Sequence, residues 1–125
     1  MSVDKSDIVN GGIYKVRDSE IDFPDRPQNR TEHSFRTVVV LSSDEFCQCD
    51  ELIVSVAPLS TEFSIQHTTD EIIPRDEENQ LAKDSRVLLG HIQTIRKNVL
   101  LKRFGRVGDA DWQRIMTKIV ENFDR

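Results

Sequence analysis

The sequence predicts a mainly β fold, in which a small, curled sheet or barrel is covered by one C-terminal helix. Several short apolar runs, each closed by glycine, proline or polar residues, are typical of short strands. Only the C-terminal segment repeats its apolar residues with the period of a helix. A series of strands followed by one helix favours a sheet that closes on itself beneath that helix.

Two long strands form the centre of the predicted sheet. The Val-Val-Val-Leu run that follows Arg36 is apolar throughout, which indicates a strand buried on both faces. The run from Leu52 to Leu59 alternates in part, and Pro58 near its end fits a strand exit. The other predicted elements are a loose or short helical lead-in at 1–10, short strands at 13–16, 63–67 and 72–73, a polar turn at 43–50, a helical turn at 79–84 and β structure over 86–95.

The C-terminal segment is the clearest helix. Asp109 is a good N-cap residue. The apolar residues after it recur at helical spacing and form one stripe, which predicts packing in the core or in a dimer and no cofactor role. These residues are Trp112, Ile115, Met116, Ile119, Val120 and Phe123.

Length and composition limit the class of protein. At 125 residues the chain is expected to form a single domain, 1–125. No window approaches the ~20 apolar residues that span a bilayer, and the first residues lack the basic start and apolar core of a signal peptide. We therefore expect a cytoplasmic protein without a membrane partner.

The two cysteines and three histidines predict no metal site and no cofactor. Cys47 and Cys49 are too close in sequence for an unstrained disulfide. The histidines show no metal-ligand spacing, and a zinc site needs three or four convergent ligands. Ordinary loop thiols are the better interpretation.

Charge is unevenly distributed along an acidic chain. The net charge is −5, which argues against a general nucleic-acid binder. Residues 86–108, however, contain six basic residues and no acidic one. This basic segment is interpreted in two ways: it contacts phosphates, or it is a solvated strand edge protected against aggregation.

One arginine and two hydroxyls lie at the ends of the two long strands. Arg36 opens the first strand after a proline-rich loop, and Ser60 and Thr61 follow the second. A guanidinium remains charged at cellular pH and meets two phosphoryl oxygens at once. This combination makes a phosphodiester the first substrate to consider.

The order of motifs resembles the MazF/PemK-type toxin endoribonucleases of type II toxin–antitoxin systems. The similarity runs from Gly12 to about Phe123. It is carried by Gly-Gly-Ile-Tyr-x-Val, Arg-x-Val-Val-Val-Leu-Ser, Val-x-Pro-Leu-Ser-Thr, Ser-Arg-Val-x-x-x-x-Ile-x-Thr-Ile-x-Lys, Phe-Gly and the C-terminal helix, in that order.

The resemblance implies an SH3-like β-barrel with a C-terminal helix that forms a homodimer. It implies cleavage of single-stranded RNA at short sequences without a metal ion. It also implies inhibition by a cognate antitoxin, whose extended tail lies across the RNA-binding groove.

Residue by residue, the resemblance assigns Arg36 and Ser60 to the catalytic site, with Thr61 beside Ser60. The proline that usually follows the arginine is replaced by Thr37. The first loop, 26–34, is longer and richer in proline and arginine than the family's loop. Where some relatives carry Asp-Gln, this chain has Gly90-His91.

Proton transfer and base recognition are assigned to neighbouring residues. His33 lies three residues before Arg36 and is the predicted proton-transfer group, with Glu32 and His91 as alternatives. Phe35 is the preferred base-stacking residue, with Phe23 and Tyr14 as alternatives. The full set of predicted RNA contacts is Thr61, Phe35, Arg30, His91 and Lys97.

Two other functions remain open. The acidic net charge and the departures from the family pattern favour a binding module, or a toxin that acts on a protein target. A generic SH3-like adaptor for extended peptides is the third hypothesis. It gains support if Arg86, Arg96 and Lys97 point away from the Arg36 groove.

Overall fold

A computed structural model describes residues 2–24, 34–64 and 66–124. Within these ranges the chain forms one curled antiparallel sheet and a C-terminal helix, which confirms the predicted mainly β fold. The strands are β1 Gly12–Arg17, β2 Phe35–Val40, β3 Ile53–Ser60, β4 Glu71–Ile73, β5 Ser85–Val87, β6 Gln93–Arg96 and β7 Lys102–Arg106. The helices are α1 Asp44–Gln48 and α2 Asp109–Phe123, with 3₁₀ turns at Lys5–Asp7, Asp18–Glu20, Leu89–His91 and Lys97–Val99.

Strand β3 is the hub of the sheet because both of its edges are used. One edge pairs with β2, up to Val38 opposite Pro58. The other edge pairs first with β6, over Ile53–Val56, and then with β5 at Leu59 and Ser60. Two strands that share one edge diverge from each other, so the sheet curls into a half-barrel. The resulting strand order is β4-β5-β3-β2-β1-β7, with β6 beside β3.

The strands bury apolar side chains on both faces, as the continuous valine run predicted. Alternate residues of a strand point to opposite faces. We call one side the Val16 face; its cluster includes Tyr14, Val16, Val38, Val40, Val54 and Val56. We call the other side the Ile13 face; its cluster includes Ile13, Val39, Ala57 and Leu59 and is covered by Ile115 and its neighbours on α2.

Helix α2 confirms most of the predicted stripe. Ile115 is fully buried, and Trp112, Met116 and Ile119 pack against the Ile13-face cluster. The stripe ends there, because Val120 is 69% exposed and Phe123 is 77% exposed. Asp109 is the first helical residue; the N-cap position belongs to Gly108, which offers no side-chain cap.

The segment before β1 is packed and contains the 3₁₀ turn Lys5–Asp7, in line with the short helical alternative of the predicted lead-in. Ile8 is buried in the Val16-face cluster. The Tyr14 hydroxyl accepts a hydrogen bond from the Val9 N–H and donates one to the Asp7 carbonyl. Burial raises the pKa of this phenol above its ordinary value. The Tyr14 hydroxyl therefore stays neutral while it bonds the segment before β1 to the sheet.

Four predicted segments differ from the structure. The helical turn predicted at 79–84 does not form over these described residues, and the β structure predicted over 86–95 is interrupted by the 3₁₀ turn Leu89–His91. The polar turn at 43–50 contains helix α1, which Ser43 begins by accepting a hydrogen bond from Phe46 N–H through its side chain. The predicted strand at 63–67 does not form among the described residues of that segment. Instead, side chains bond to nearby backbone: Ser60 accepts from Glu62 N–H, and the Glu62 carboxylate accepts from Ser64 N–H.

The two cysteines are expected to differ in reactivity. Cys47 is fully buried and Cys49 is half-buried, and both are free thiols. Burial, followed by the nearby Asp44 carboxylate, raises the pKa of Cys47, which reduces the thiolate fraction that alkylating agents attack. Iodoacetamide in mildly alkaline buffer should therefore modify Cys49 first and Cys47 only after unfolding, as peptide mass spectrometry would show. Equal labelling in the native protein would contradict the packing described above.

Candidate active site

Arg36 lies on the Val16 face, at the end of the sheet where β1 finishes and β2 begins. It pairs with Val16 across the ladder and shares its face with Val38. Its Nε donates to the Asp18 carboxylate at 2.7 Å, and its guanidinium stacks on Phe23 at 3.8 Å from the ring centre. The Arg36 and Asp18 side chains are only 9% and 5% exposed. This ion pair is therefore nearly removed from water.

One end of the Arg36 guanidinium has no hydrogen-bond partner among the residues that the structure describes. Its terminal nitrogen Nη2 is buried and makes no hydrogen bond within the described part of the chain. A buried charged donor without an acceptor is costly, and such groups are rare outside functional sites. The unsatisfied nitrogen is suited to one oxygen of an anionic ligand.

Ser60 belongs to the same end of the sheet and to the same face. The last β2–β3 pair is Val38 opposite Pro58, so the same register extended by two residues brings Ser60 towards Arg36. The ladder itself stops at that pair because β3 turns to join β5. Ser60 is 5% exposed, and its Oγ accepts a hydrogen bond from Glu62 N–H at 3.1 Å.

Arg86 approaches Ser60 from the other side. It lies directly opposite Ser60 in the β3–β5 ladder and is completely buried. One terminal nitrogen is 3.5 Å from Ser60 Oγ, and the other donates to Asp70 at 2.6 Å. The structure therefore places Arg36 and Ser60 on one face and at one end of the sheet, and it adds a second arginine beside Ser60.

The other predicted RNA contacts occupy different positions. Phe35 lies on the opposite face from Arg36 and is 42% exposed, with Lys15 Nζ 4.0 Å from the centre of its ring. Thr61 is exposed beside Ser60. His33 and Arg30, like Glu32, lie outside the described residues.

His91 is half-buried in the 3₁₀ turn after β5, next to a pair of hydrogen bonds between the Gln93 side chain and the Asp22 backbone. The Gln93 side chain accepts from Asp22 N–H at 2.8 Å and donates to the Asp22 carbonyl at 2.9 Å. The same amide nitrogen of Gln93 is 3.2 Å from the His91 carbonyl. Gln93 therefore links the His91 turn to the segment that carries Phe23.

The basic segment does not form one continuous cationic surface. Arg86 is buried on the Val16 face, and Lys97 is only 8% exposed. The Lys97 ammonium donates to the carbonyls of Phe46 and Cys49, at 3.1 and 3.0 Å, at the C-terminal end of α1. Exposed Arg96 pairs with Ile53, seven residues from Ser60 on β3, or about 23 Å along an extended strand. Arg96 and Lys97 thus lie away from the Arg36 site, and this observation weakens the case for RNA at this segment.

The family model for PemK-like, MazF-like toxins of type II toxin–antitoxin systems matches residues 19–123. The chain belongs to this family. No curated protein sequence matches it significantly.

Solved structures have the same fold. Toxin MazF-mt6 of Mycobacterium tuberculosis superposes with a TM-score of 0.67 at 21% identity, covering 90% of this chain and 96% of that one. An endoribonuclease from a mycobacterial species gives 0.63 at 17% identity, covering 91% and 88%. A mycobacterial endoribonuclease in complex with its cognate antitoxin gives 0.61 at 17% identity, covering 91% and 90%. These likenesses support the fold of this MazF-like chain.

The partners of the two buried arginines are not predicted by the sequence pattern. Asp18 lies just after β1, two residues beyond Val16, the ladder partner of Arg36, but the long intervening loop hides that register from the sequence. Phe23 lies within that loop; the sequence suggested base stacking for it, whereas the structure buries it against Arg36. Asp70 is separated from Arg86 by a further strand and turn, so only the folded sheet brings them together.

The described residues contain no group of three or more histidine, cysteine or acidic side chains arranged to hold a metal ion. In the same part of the chain, no helix has the length and apolar character needed to cross a bilayer.

The position of Lys97 predicts a structural role. Lys97→Met removes the donor from two carbonyls and should lower the free energy of unfolding by about 1–3 kcal/mol. Urea denaturation of the variant measures this loss. Arg96→Met, a change at an adjacent exposed cation, should leave the midpoint nearly unchanged. Equal stabilities of the two variants would contradict this role.

Proposed function

We propose that this chain is a metal-independent endoribonuclease toxin that cleaves single-stranded RNA by attack of a 2′-hydroxyl on the adjacent phosphate. Family membership supports the reaction class. The observation that carries the proposal is the unsatisfied Nη2 of Arg36 on the same face and at the same end of the sheet as Ser60. Both groups are donors suited to the phosphoryl oxygens of a scissile phosphate.

The proposed chemistry divides charge stabilisation from proton transfer. Arg36 and Ser60 donate to non-bridging oxygens, where negative charge accumulates as the 2′-oxygen attacks. His33 remains the proposed proton-transfer residue, with His91, whose carbonyl accepts from the Gln93 side chain, as the alternative. Because Arg36 Nη2 is buried, the side chains that cover it must move aside when the phosphate enters.

The RNA on either side of the cleaved bond is proposed to contact an aromatic and cationic surface around Phe35. Lys15, Arg17 and Phe35 share the Ile13 face beyond the edge of α2, and Lys102 pairs with Lys15 on that face. None of these three cations has an ion-pair partner among the described residues. Bases stack on aromatic rings while cations meet the backbone. An RNA strand that passes the N-terminal end of β2 would contact Phe35 on one face of the sheet and Arg36 on the other.

The proposed partners follow from the family. A cognate antitoxin is proposed to inhibit the chain by laying an extended segment across the RNA groove. A homodimer is proposed as the active form, and the exposed Val120 and Phe123 on α2 supply apolar surface for a partner. The proposed location is the cytoplasm, where the messenger RNA substrate is found.

Cleavage without metal is the direct test. Purified protein incubated with long single-stranded RNA in EDTA should yield discrete fragments that end in a cyclic phosphate or 3′-phosphate. Arg36→Ala should lower kcat/KM by about 100-fold or more, because the main charge partner of the phosphate is lost. Arg96→Ala is the matched control and should keep wild-type activity. Intact RNA with the wild-type protein would contradict the proposal, as would unchanged cleavage by Arg36→Ala.

Phe35 gives a separate test of RNA binding. Phe35→Ala should weaken binding by roughly 1–3 kcal/mol, the usual worth of one stacked base. Fluorescence anisotropy with a labelled 2′-O-methyl oligonucleotide measures binding without cleavage. Phe46→Ala removes a phenylalanine of similar exposure, 38% against 42%, from α1 and serves as the control for nonspecific loss. A larger effect at Phe46 than at Phe35 would place the RNA elsewhere.

A binding function on the same fold, with a protein as the toxin's target, is the second candidate. It is favoured by the engagement of Arg36, whose charge Asp18 already compensates and whose surface Phe23 covers. Growth inhibition on expression that persists in Arg36→Ala would support a protein target. The absence of both toxicity and cleavage in the wild type would support an inert binding module.

A further inference from the structure

A second buried arginine contacts the same hydroxyl. Arg86 is completely buried on β5, and Ser60 is its partner in the ladder. Each of its three guanidinium nitrogens contacts a group in this small region. Nε donates to the Glu62 carbonyl at 2.7 Å, one terminal nitrogen meets Asp70, and the other faces Ser60 Oγ. The guanidinium thus connects β5, the end of β3 and the loop that follows.

These contacts determine which hydrogen bonds the Ser60 hydroxyl can still form. A hydroxyl has one proton to donate and two lone pairs that accept. Glu62 N–H at 3.1 Å and the Arg86 guanidinium at 3.5 Å both approach the oxygen as donors. The remaining function of the hydroxyl is its proton, which can be given to an incoming anionic oxygen. A nearby positive charge also makes that proton a better donor.

Asp70 holds Arg86 in this position. Its Oδ2 accepts from Arg86 at 2.6 Å and from the backbone N–H of His67 at 3.1 Å. The Arg86 and Asp70 side chains are 0% and 4% exposed, so the guanidinium is shielded from solvent and has little freedom to reorient. A rigidly held donor costs little reorganisation when charge develops on the substrate.

We propose that Arg86, anchored by Asp70, is a positioning residue that orients the Ser60 hydroxyl as a donor to the scissile phosphate. The inference rests on the proposed ribonuclease function. Arg86 itself is too deeply buried to meet the RNA and acts only through Ser60.

A double-mutant cycle distinguishes positioning from a merely structural role. Single-turnover and steady-state cleavage are measured for wild type, Arg86→Lys, Ser60→Ala and the double variant, each at a temperature where thermal melting shows it to be folded. Arg86→Lys keeps the charge but loses the fork, so kcat should fall by about tenfold or more with KM within about twofold. In the Ser60→Ala background the same change should alter kcat by less than about twofold.

Arg114→Lys is the matched control, since Arg114 is likewise held in ion pairs, with Glu71 and Asp111, but lies on the surface of α2. It should leave kcat unchanged. If Arg86→Lys does not fold, Asp70→Asn, which keeps the shape of the anchor, replaces it in the same cycle. Equal losses in both Ser60 backgrounds, or an unchanged kcat in folded Arg86→Lys, would overturn the positioning role while wild-type cleavage left the ribonuclease proposal intact. An inactive wild type would overturn both.

Discussion

The burial of positive charge is the constraint on which the site end of this structure depends. Arg36 and Arg86 both lie almost wholly out of water, and an uncompensated guanidinium there would be strongly destabilising. Each is neutralised by one aspartate from outside the central strands. Asp18 follows β1 and Asp70 precedes β4, so the two ion pairs fix where the chain can run as it enters and leaves the sheet.

The position of Ser60 follows from the same constraint. Strand β3 must leave β2 after Pro58 in order to pair with β5, and that divergence opens space between the strands at their ends. Alternation then places Ser60 and Arg86 on the Val16 face, which is also the face of Arg36. Arg36, Ser60 and Arg86 therefore form a polar cluster at the end of the apolar Val16-face cluster. Gln93 bonds to the neighbouring segment at Asp22.

The sequence predicts those features that depend on local pattern. The valine run, the helical stripe and the two strand ends are visible in it, and they locate Arg36 and Ser60 correctly at one end of the sheet. Pairs made by the curl of the sheet are not visible, because Asp18 and Asp70 find their arginines only through loop lengths and strand divergence. Lys97 illustrates the same limit. Its role depends on helix α1, which a run of polar residues concealed.

Asp18 and a phosphate need not compete for Arg36. A guanidinium presents five N–H donors in a planar fork. Asp18 occupies the Nε side, while Nη2 has no acceptor among the described residues. The carboxylate therefore orients the fork and leaves its far edge for an oxygen of the substrate. Phe23, stacked on the flat of the guanidinium, restricts it to that plane and keeps water from the unsatisfied donor. The same contacts that neutralise Arg36 in the free protein therefore also orient its Nη2 towards a ligand. Burying Nη2 without an acceptor costs free energy, and an anionic ligand that accepts its hydrogen bond removes that cost.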